Sequence, residues 1–234
     1  MRPRAANKSA FLGDSFQLAG QRVLGGRSQS ARNLGVALRM IGTMKRFPCR
    51  REIYGAGEPA KYFYQILYGA VRVYNSLDDG RRQVSGFYFT GDVFGLEDNV
   101  DHQFSAETIT ASSILIIKRK VLIALAARHS DLANGLRMLT ARELAHVRNL
   151  MITLGRKNAQ ERVAAFLLEM SRRLCNNRTL DLPMGRQDIA DYLGLTIETV
   201  SRIFTQLENE STIERPSWRR VVLRDHNALS KLDR

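Results

Sequence analysis

The run Arg186-Gln187-Asp188-Ile189-Ala190-Asp191-Tyr192-Leu193-Gly194-Leu195-Thr196-Ile197-Glu198-Thr199-Val200-Ser201-Arg202-Ile203-Phe204-Thr205-Gln206-Leu207 decides how the chain is read. Its apolar spacing describes two short helices joined by a turn. In Arg186 to Leu193, the residues Ile189, Ala190 and Leu193 share an inner face. Gly194 follows, and glycine enters the left-handed conformation that ends a helix. Ala190 is small where the two helices pack closely. The second helix starts near Thr196, a suitable N-cap, and turns Ile197, Val200, Ile203, Phe204 and Leu207 inward. Glu198, Thr199, Ser201 and Arg202 remain on its other side.

That outer set suits the edges of base pairs in the major groove of DNA. An arginine bonds guanine through two donors, a glutamate accepts from the cytosine amino group, and a serine or threonine bonds a base edge or touches the thymine methyl. Glu198 and Arg202 are four residues apart, so they project from one face in the N-terminal half of the helix, where such helices meet the bases. The alternative is an i,i+4 surface salt bridge with no reading role. The base-reading set is therefore Glu198, Ser201 and Arg202, with Thr196, Ile197, Thr199, Arg186 and Gln187 as backbone or supporting contacts. Downstream, Ser211 to Pro216 and Trp218 to Leu223 read as a β-hairpin wing. Its Arg219 and Arg220 either meet phosphate or line a solvated strand edge.

Working outward, 44% of the 234 residues are apolar and 25% charged, the balance of a globular protein with real cores. This length suggests two domains. The net charge of +13 points to a polyanionic partner, because neutralising phosphates releases counterions. Much of the excess sits at the start, where Asp14 is the lone acid among residues 1–46. No stretch approaches the ~20 apolar residues of a membrane span, and the N-terminus lacks the apolar core of a secretory signal. A cytoplasmic protein without membrane contact is expected. Cys49 and Cys175 are far apart and offer neither a disulfide framework nor paired metal ligands.

Four segments follow. Residues 1–45 read as a basic, poorly ordered extension with a short helix around Ala37–Met44. Residues 46–125 read as an antiparallel β-domain, a barrel or jelly roll, with strands at 62–67, 70–74, 82–89 and 113–117 and turn signals at Gly69, Gly80 and Gly91. Residues 126–155 carry a long helix, His129 to Leu154, of about 39 Å at 1.5 Å per residue. That exceeds the width of a small β-domain, so its seam is expected to face a second copy rather than only its own domain. The interface set is Leu132, Leu136, Leu139, Glu143, Val147, Leu150 and Leu154. Gly155 to Asn158 forms a hinge, and residues 156–234 form the second domain, opened by an amphipathic stretch from Ala159 to Cys175.

The order β-domain, long helix, winged helix-turn-helix resembles the cyclic-AMP receptor and fumarate-nitrate regulator (CRP/FNR) family of bacterial transcription factors, over roughly residues 45 to 225. The resemblance implies an α+β fold: a β-roll of the jelly-roll, cyclic-nucleotide-binding type, a dimerisation helix, and a C-terminal winged helix-turn-helix. Glu198-x-x-Ser201-Arg202 is similar to the fumarate-nitrate regulator motif, associated with TTGAT-N4-ATCAA palindromes. Arg202 would then read guanine, Glu198 the paired cytosine and Ser201 a thymine. The run Gly91 to Glu97, followed by Phe104 to Glu107, resembles the FixK branch, whose members activate genes for low-oxygen respiration, nitrogen fixation or denitrification. The implied partners are a palindromic DNA operator, a second copy in a homodimer, and RNA polymerase at loops such as Asp78-Asp79-Gly80-Arg81.

The signal is where the chain departs from that family. Cyclic-nucleotide binders hold the phosphate with a fixed arginine before a Ser/Thr-Ala step, and here Phe104 precedes Ser105-Ala106. Oxygen-sensing members hold a 4Fe-4S cluster with four thiolates, which two distant cysteines do not provide. His102, His129, His146 and His226 are expected to be ordinary surface or interface residues, so no cofactor or metal is expected. Cys175, with Arg172 and Arg173 nearby to favour a thiolate, is a redox-switch candidate whose alternative is an inert, partly buried thiol. No nucleophile–base pairing or phosphate loop suggests an enzyme. Beside a ligand-independent activator stand a regulator responsive to cyclic nucleotide or haem, and a cyclic-nucleotide module that never touches DNA.

Overall fold

In the computed structural model, residues 29–97, 100–174 and 178–233 are described. The redox candidate Cys175 and most of the basic extension lie outside them. Helix α1 (Gln29–Ile41) precedes strands β1 (Thr43–Phe47), β2 (Glu52–Tyr54), β3 (Tyr62–Tyr68), β4 (Ala70–Ser76), β5 (Arg82–Phe89), β6 (Val93–Phe94), β7 (Ser105–Thr108) and β8 (Ser112–Lys118). Helices α2 (Arg119–Ala126), α3 (Ser130–Arg156) and α4 (Ala159–Leu174) follow. The last part comprises β9 (Thr179–Asp181), α5 (Arg186–Leu193), α6 (Ile197–Asn209), β10 (Ile213–Glu214), β11 (Arg220–Leu223) and α7 (His226–Leu232).

The strands β1 to β8 form two antiparallel sheets, in the orders β1-β8-β3-β6 and β2-β7-β4-β5. Side chains alternate across each strand, so Val71 and Val73 of β4 turn inward while Arg72 turns out. A single core lies between the sheets, built from Phe47, Tyr54, Tyr64, Ile66, Val71, Val73, Phe94, Ala106 and Ile114. The strands expected from the pattern are present. Missed were β1, β2, β6 and β7, two to five residues long and too short for alternation to stand out.

The N-terminal helix lies earlier than expected, at Gln29–Ile41 rather than around Ala37–Met44. Leu34 and Leu38, one turn apart, are fully buried against Leu115, Ile117, Leu122 and Leu132. The next residues pair with β8, from Thr43 opposite Ile116 to Phe47 opposite Ser112. A partner more than 60 residues away converts a helical-looking stretch into a strand.

Helix α3 is 27 residues long, close to expectation, but its apolar face is used differently. Leu132, Leu136 and Leu139 pack on α1 and the β-roll. Glu143 accepts the Tyr88 hydroxyl at 2.6 Å. Leu150 packs against the core shared with the second domain, and Leu154 is half-buried, its carbonyl accepting from Arg162 at 2.8 Å. Of the expected interface set only Val147 stays exposed. The unpartnered apolar residues are Leu144, Val147, Met151 and Ile152, with Met151 66% exposed. The helix has apolar residues on two faces, and the denser one packs within the chain itself.

The second domain packs α4 to α7 on a small sheet ordered β10-β11-β9. Phe166, Leu167, Met170, Ile189, Leu193, Val200, Phe204, Leu207, Val221 and Leu229 form its core. Burying a side chain of this size contributes about 1.5–3 kcal/mol, which holds two short helices that would be marginal alone. The core is continuous with Ala70, Val84, Phe87, Phe89 and Ile109 of the β-roll. The Tyr192 ring lies 5.2 Å from that of Phe87 and 5.9 Å from that of Phe166.

Candidate nucleic-acid interface

The two helices of the turn have the expected bounds. Helix α5 ends on Gly194, whose φ of 61° is left-handed, and its N–H returns to the Ala190 carbonyl. A Cβ-bearing residue would be strained there. Thr196 caps α6, its Oγ1 accepting the Thr199 N–H at 3.2 Å. Val200, Ile203, Phe204 and Leu207 are buried. The first-turn Ile197, expected to be buried with them, is 36% exposed, because it lies ahead of the stripe that reaches the core.

The opposite face carries Glu198, Ser201 and Arg202, all exposed. The Glu198 carboxyl is held below the usual carboxylate range by its own backbone N–H and then by Thr196. It is therefore charged at neutral pH and sits at the positive end of the helix dipole. Arg202 has no hydrogen bond or ion pair among the described residues, so the i,i+4 salt bridge with Glu198 does not form. The guanidinium is free to meet a base. Thr199 is half-buried and its hydroxyl accepts from Thr196 at 3.1 Å, which makes it part of the cap.

Around this face the expected supporting residues separate. The Arg186 guanidinium lies 3.6 Å over the Phe204 ring. Burial, and then the charge of Arg215, push it down to about 10. Gln187 donates to Asp191 at 2.7 Å. Arg220 donates to Asp181 at 2.8 Å, whereas Arg219 stacks 4.2 Å over Trp218.

Contacts that the sequence reading did not anticipate tie this unit to the β-roll. Asp188 of α5 receives Arg72 of β4 at 2.7 Å and Arg82 of β5 at 2.9 Å. Arg82 also holds Asp191 at 2.6 Å, and Arg72 holds Glu107 at 2.9 Å. Beside them Gln83 donates to the Tyr192 carbonyl at 3.2 Å. A second tie joins Arg173 of α4 to Asp92 and to the Phe87 carbonyl, at 2.8 and 2.7 Å. The outward turn of Arg72 between two buried valines was the available signal, but its partner was not legible.

A Crp-like helix-turn-helix domain matches residues 161–232, and a cyclic nucleotide-binding domain matches residues 44–129. The nitrogen fixation regulation protein FixK of Azorhizobium caulinodans is 44% identical over 198 residues, covering 82% of this chain and 80% of the relative. This chain is a FixK-type transcription regulator of the CRP/FNR family. The FixK protein of Rhizobium meliloti is 40% identical, covering 83% and 87%. The structure of FixK2 from Bradyrhizobium japonicum superposes with a TM-score of 0.81 at 46% identity, over 83% of this chain and 98% of that one.

Membership in FixK-type regulators identifies the helix-turn-helix as a DNA-binding unit and the protein as a regulator rather than an enzyme. Among the described residues no helix is long and apolar enough to cross a membrane. The β-roll of this regulator does not fit a cyclic nucleotide. Phe104 stands where the phosphate-holding arginine is expected. The space beside Gly95 is filled by the Tyr64 ring, which a Cβ there would meet at 2.9 Å. Inside the roll the rings of Tyr64 and Phe94 stack at 5.2 Å and those of Tyr54 and His102 at 3.6 Å. His102, expected to be an ordinary surface or interface residue, is 1% exposed, with Nδ1 2.5 Å from Glu97. Its Nε2 is buried without a hydrogen-bond partner among the described residues.

Proposed function

We propose that this FixK-type regulator binds a TTGAT-N4-ATCAA-like palindrome as a homodimer and activates genes of low-oxygen respiration, nitrogen fixation or denitrification. The single observation behind it is the outer edge of α6, where charged Glu198, Ser201 and unpaired Arg202 stand side by side. Arg202 reads guanine, Glu198 its paired cytosine and Ser201 a neighbouring thymine. Thr196 and Thr199 hold the start of the reading helix, Ile197 flanks it, and Arg186 and Gln187 face the backbone.

The second copy docks along the exposed stripe of Leu144, Val147, Met151 and Ile152 on α3. A pair of subunits then presents α6 twice to the two half-sites. Activation involves RNA polymerase at exposed loops of the β-roll such as Asp78 to Arg81, and the protein works in the cytoplasm, where its operator is. The filled roll supports activity without a cyclic nucleotide; heat released on titration with cyclic AMP would reverse that reading. The names of the FixK relatives support the gene class.

Selection of bound sequences from a random DNA pool tests half-site and spacing together. Arg202→Ala should lose roughly 1–3 kcal/mol, most on sites with the cognate guanine. An unchanged preference in that variant would defeat the assignment.

A further inference from the structure

Helix α3 has a third face, turned toward α4. Arg142, His146, Asn149 and Thr153 recur on it at helical spacing and line a groove of about 510 Å³. At about 100° per residue, this stripe lies roughly 160° around the helix from Leu144, Val147 and Met151. A second copy docked on those three residues therefore leaves the groove open, with Ile152 at its rim between the two faces. The space has the size of small-molecule pockets, roughly 300–1,000 Å³. It spans the hinge: α3 and Lys157 form one wall, and Ala165, Phe166, Glu169 and Arg172 of α4 form the other.

The groove has an apolar floor and a positive rim. Leu150, Ala165, Phe166 and Leu193 supply the floor, with Phe166 and Leu193 buried. The cations Arg142, Lys157 and Arg172 line it together with the acids Glu169 and Asp233. Both acids are already matched. Glu169 accepts the Tyr192 hydroxyl at 3.0 Å and Arg173 at 3.2 Å, and Asp233 accepts Lys157 at 3.0 Å. His146 stacks on the Tyr192 ring, centroids 6.3 Å apart, with Nδ1 3.5 Å from Glu169. Arg172 has no acid among the described residues, and the Asn149 carboxamide and Thr153 hydroxyl have no hydrogen bond among them either. A guanidinium and two neutral polar groups thus line one space without partners, beside an apolar surface.

We propose that this groove is a binding site for a small amphipathic organic anion: a carboxylate, sulfonate or phosphate on an apolar body. Arg172 holds the anionic group, to which a guanidinium offers paired N–H donors, and Asn149 and Thr153 complete its hydrogen bonds from the opposite wall. The apolar body lies on Leu150, Ala165 and Phe166, out of water. A ligand so placed touches α3 and α4 at once, on both sides of the hinge at Gly155 to Asn158 that leads into the DNA-binding unit. The site is separate from the aromatic-filled interior of the β-roll and does not depend on the base-reading assignment.

Two dyes of similar shape test the chemistry. Anilinonaphthalene sulfonate carries the anionic group, phenylnaphthylamine lacks it, and both brighten on leaving water. The native protein should bind one sulfonate dye per subunit. Arg172→Ala should weaken that binding roughly tenfold and leave the affinity for the uncharged dye within about twofold of native. Asn149→Trp, which fills the groove from an exposed helical position, should remove the binding of both. Arg148→Ala, on α3 but outside the groove, should change neither. Circular dichroism of the three variants should match the native protein, since Arg148, Asn149 and Arg172 are all exposed.

Native sulfonate affinity in Arg172→Ala would overturn the proposal, and so would equal weakening of both dyes there, which would make Arg172 a packing residue. Undiminished binding in Asn149→Trp would place the dye on another surface. A loss in Arg148→Ala as large as that in Arg172→Ala would reduce the site to diffuse positive charge. Either result defeats the assignment, as does failure of the native protein to bind the sulfonate dye.

Discussion

Removing the Asp188 carboxylate should unfasten the helix-turn-helix from the β-roll. Its Oδ1 receives Arg72 and Arg82, its Oδ2 accepts the Gly185 N–H at 3.2 Å, and the side chain is 11% exposed. Breaking a buried pair by deleting one partner costs about 3–5 kcal/mol, because the remaining charge is left buried. In Asp188→Ala each arginine keeps a second acid, Glu107 for Arg72 and Asp191 for Arg82, so the lower end applies, about 3 kcal/mol. That is a large share of a typical stability of roughly 5–15 kcal/mol. Denaturant unfolding at fixed protein concentration reads it as a lower midpoint. Arg82→Met in the Asp188→Ala background should cost less than in the native protein, with a coupling of about 1–3 kcal/mol. A loss below about 1 kcal/mol in Asp188→Ala, additive with Arg82→Met, would refute the reasoning.

Three further outcomes are expected. Gly194→Ala should cost about 1 kcal/mol or more, because φ there is 61°, and Gly194→Asn should cost less; equal stability of all three proteins would mean the left-handed cap is not needed. Met151→Glu should yield folded monomers in sedimentation velocity and weaken operator binding, whereas Leu136→Glu, on the packed face of α3, should lower the unfolding midpoint; a dimeric Met151→Glu protein would place the interface elsewhere. Arg186 is a cation whose pKa is pushed below its unfolded value, to about 10, so its charge opposes folding at neutral pH and the penalty lifts only as pH rises through about 10. Arg186→Met should therefore keep or raise the unfolding midpoint near pH 7 while DNA affinity falls, and a lower midpoint would show that stacking on Phe204 outweighs the burial of charge.

The reading helices were legible because every signal that makes them is local. Apolar residues recur every three to four positions, Thr196 caps one end, Gly194 breaks the turn, and no distant residue is needed to place Glu198, Ser201 and Arg202 outward. The β-roll was half legible. Long strands such as Arg82–Phe89 show their period, while Thr43–Phe47 becomes a strand only on pairing with β8. Which stripe of α3 is free could not be read, because Leu132 and Met151 are equally apolar and differ only in what packs beside them.

By itself the sequence determined the helix-turn-helix, its capping and its outward chemistry, since helical periodicity places side chains on faces without reference to the rest of the chain. The tertiary structure decided which charges are spent and which are free. Arg72 meets Asp188 across 116 residues and Arg220 meets Asp181 across 39, while Arg202 and Arg219 meet no acid among the described residues. An ion pair depends on distances of a few ångströms between groups brought together only by the packed core, so sequence spacing carries no record of it.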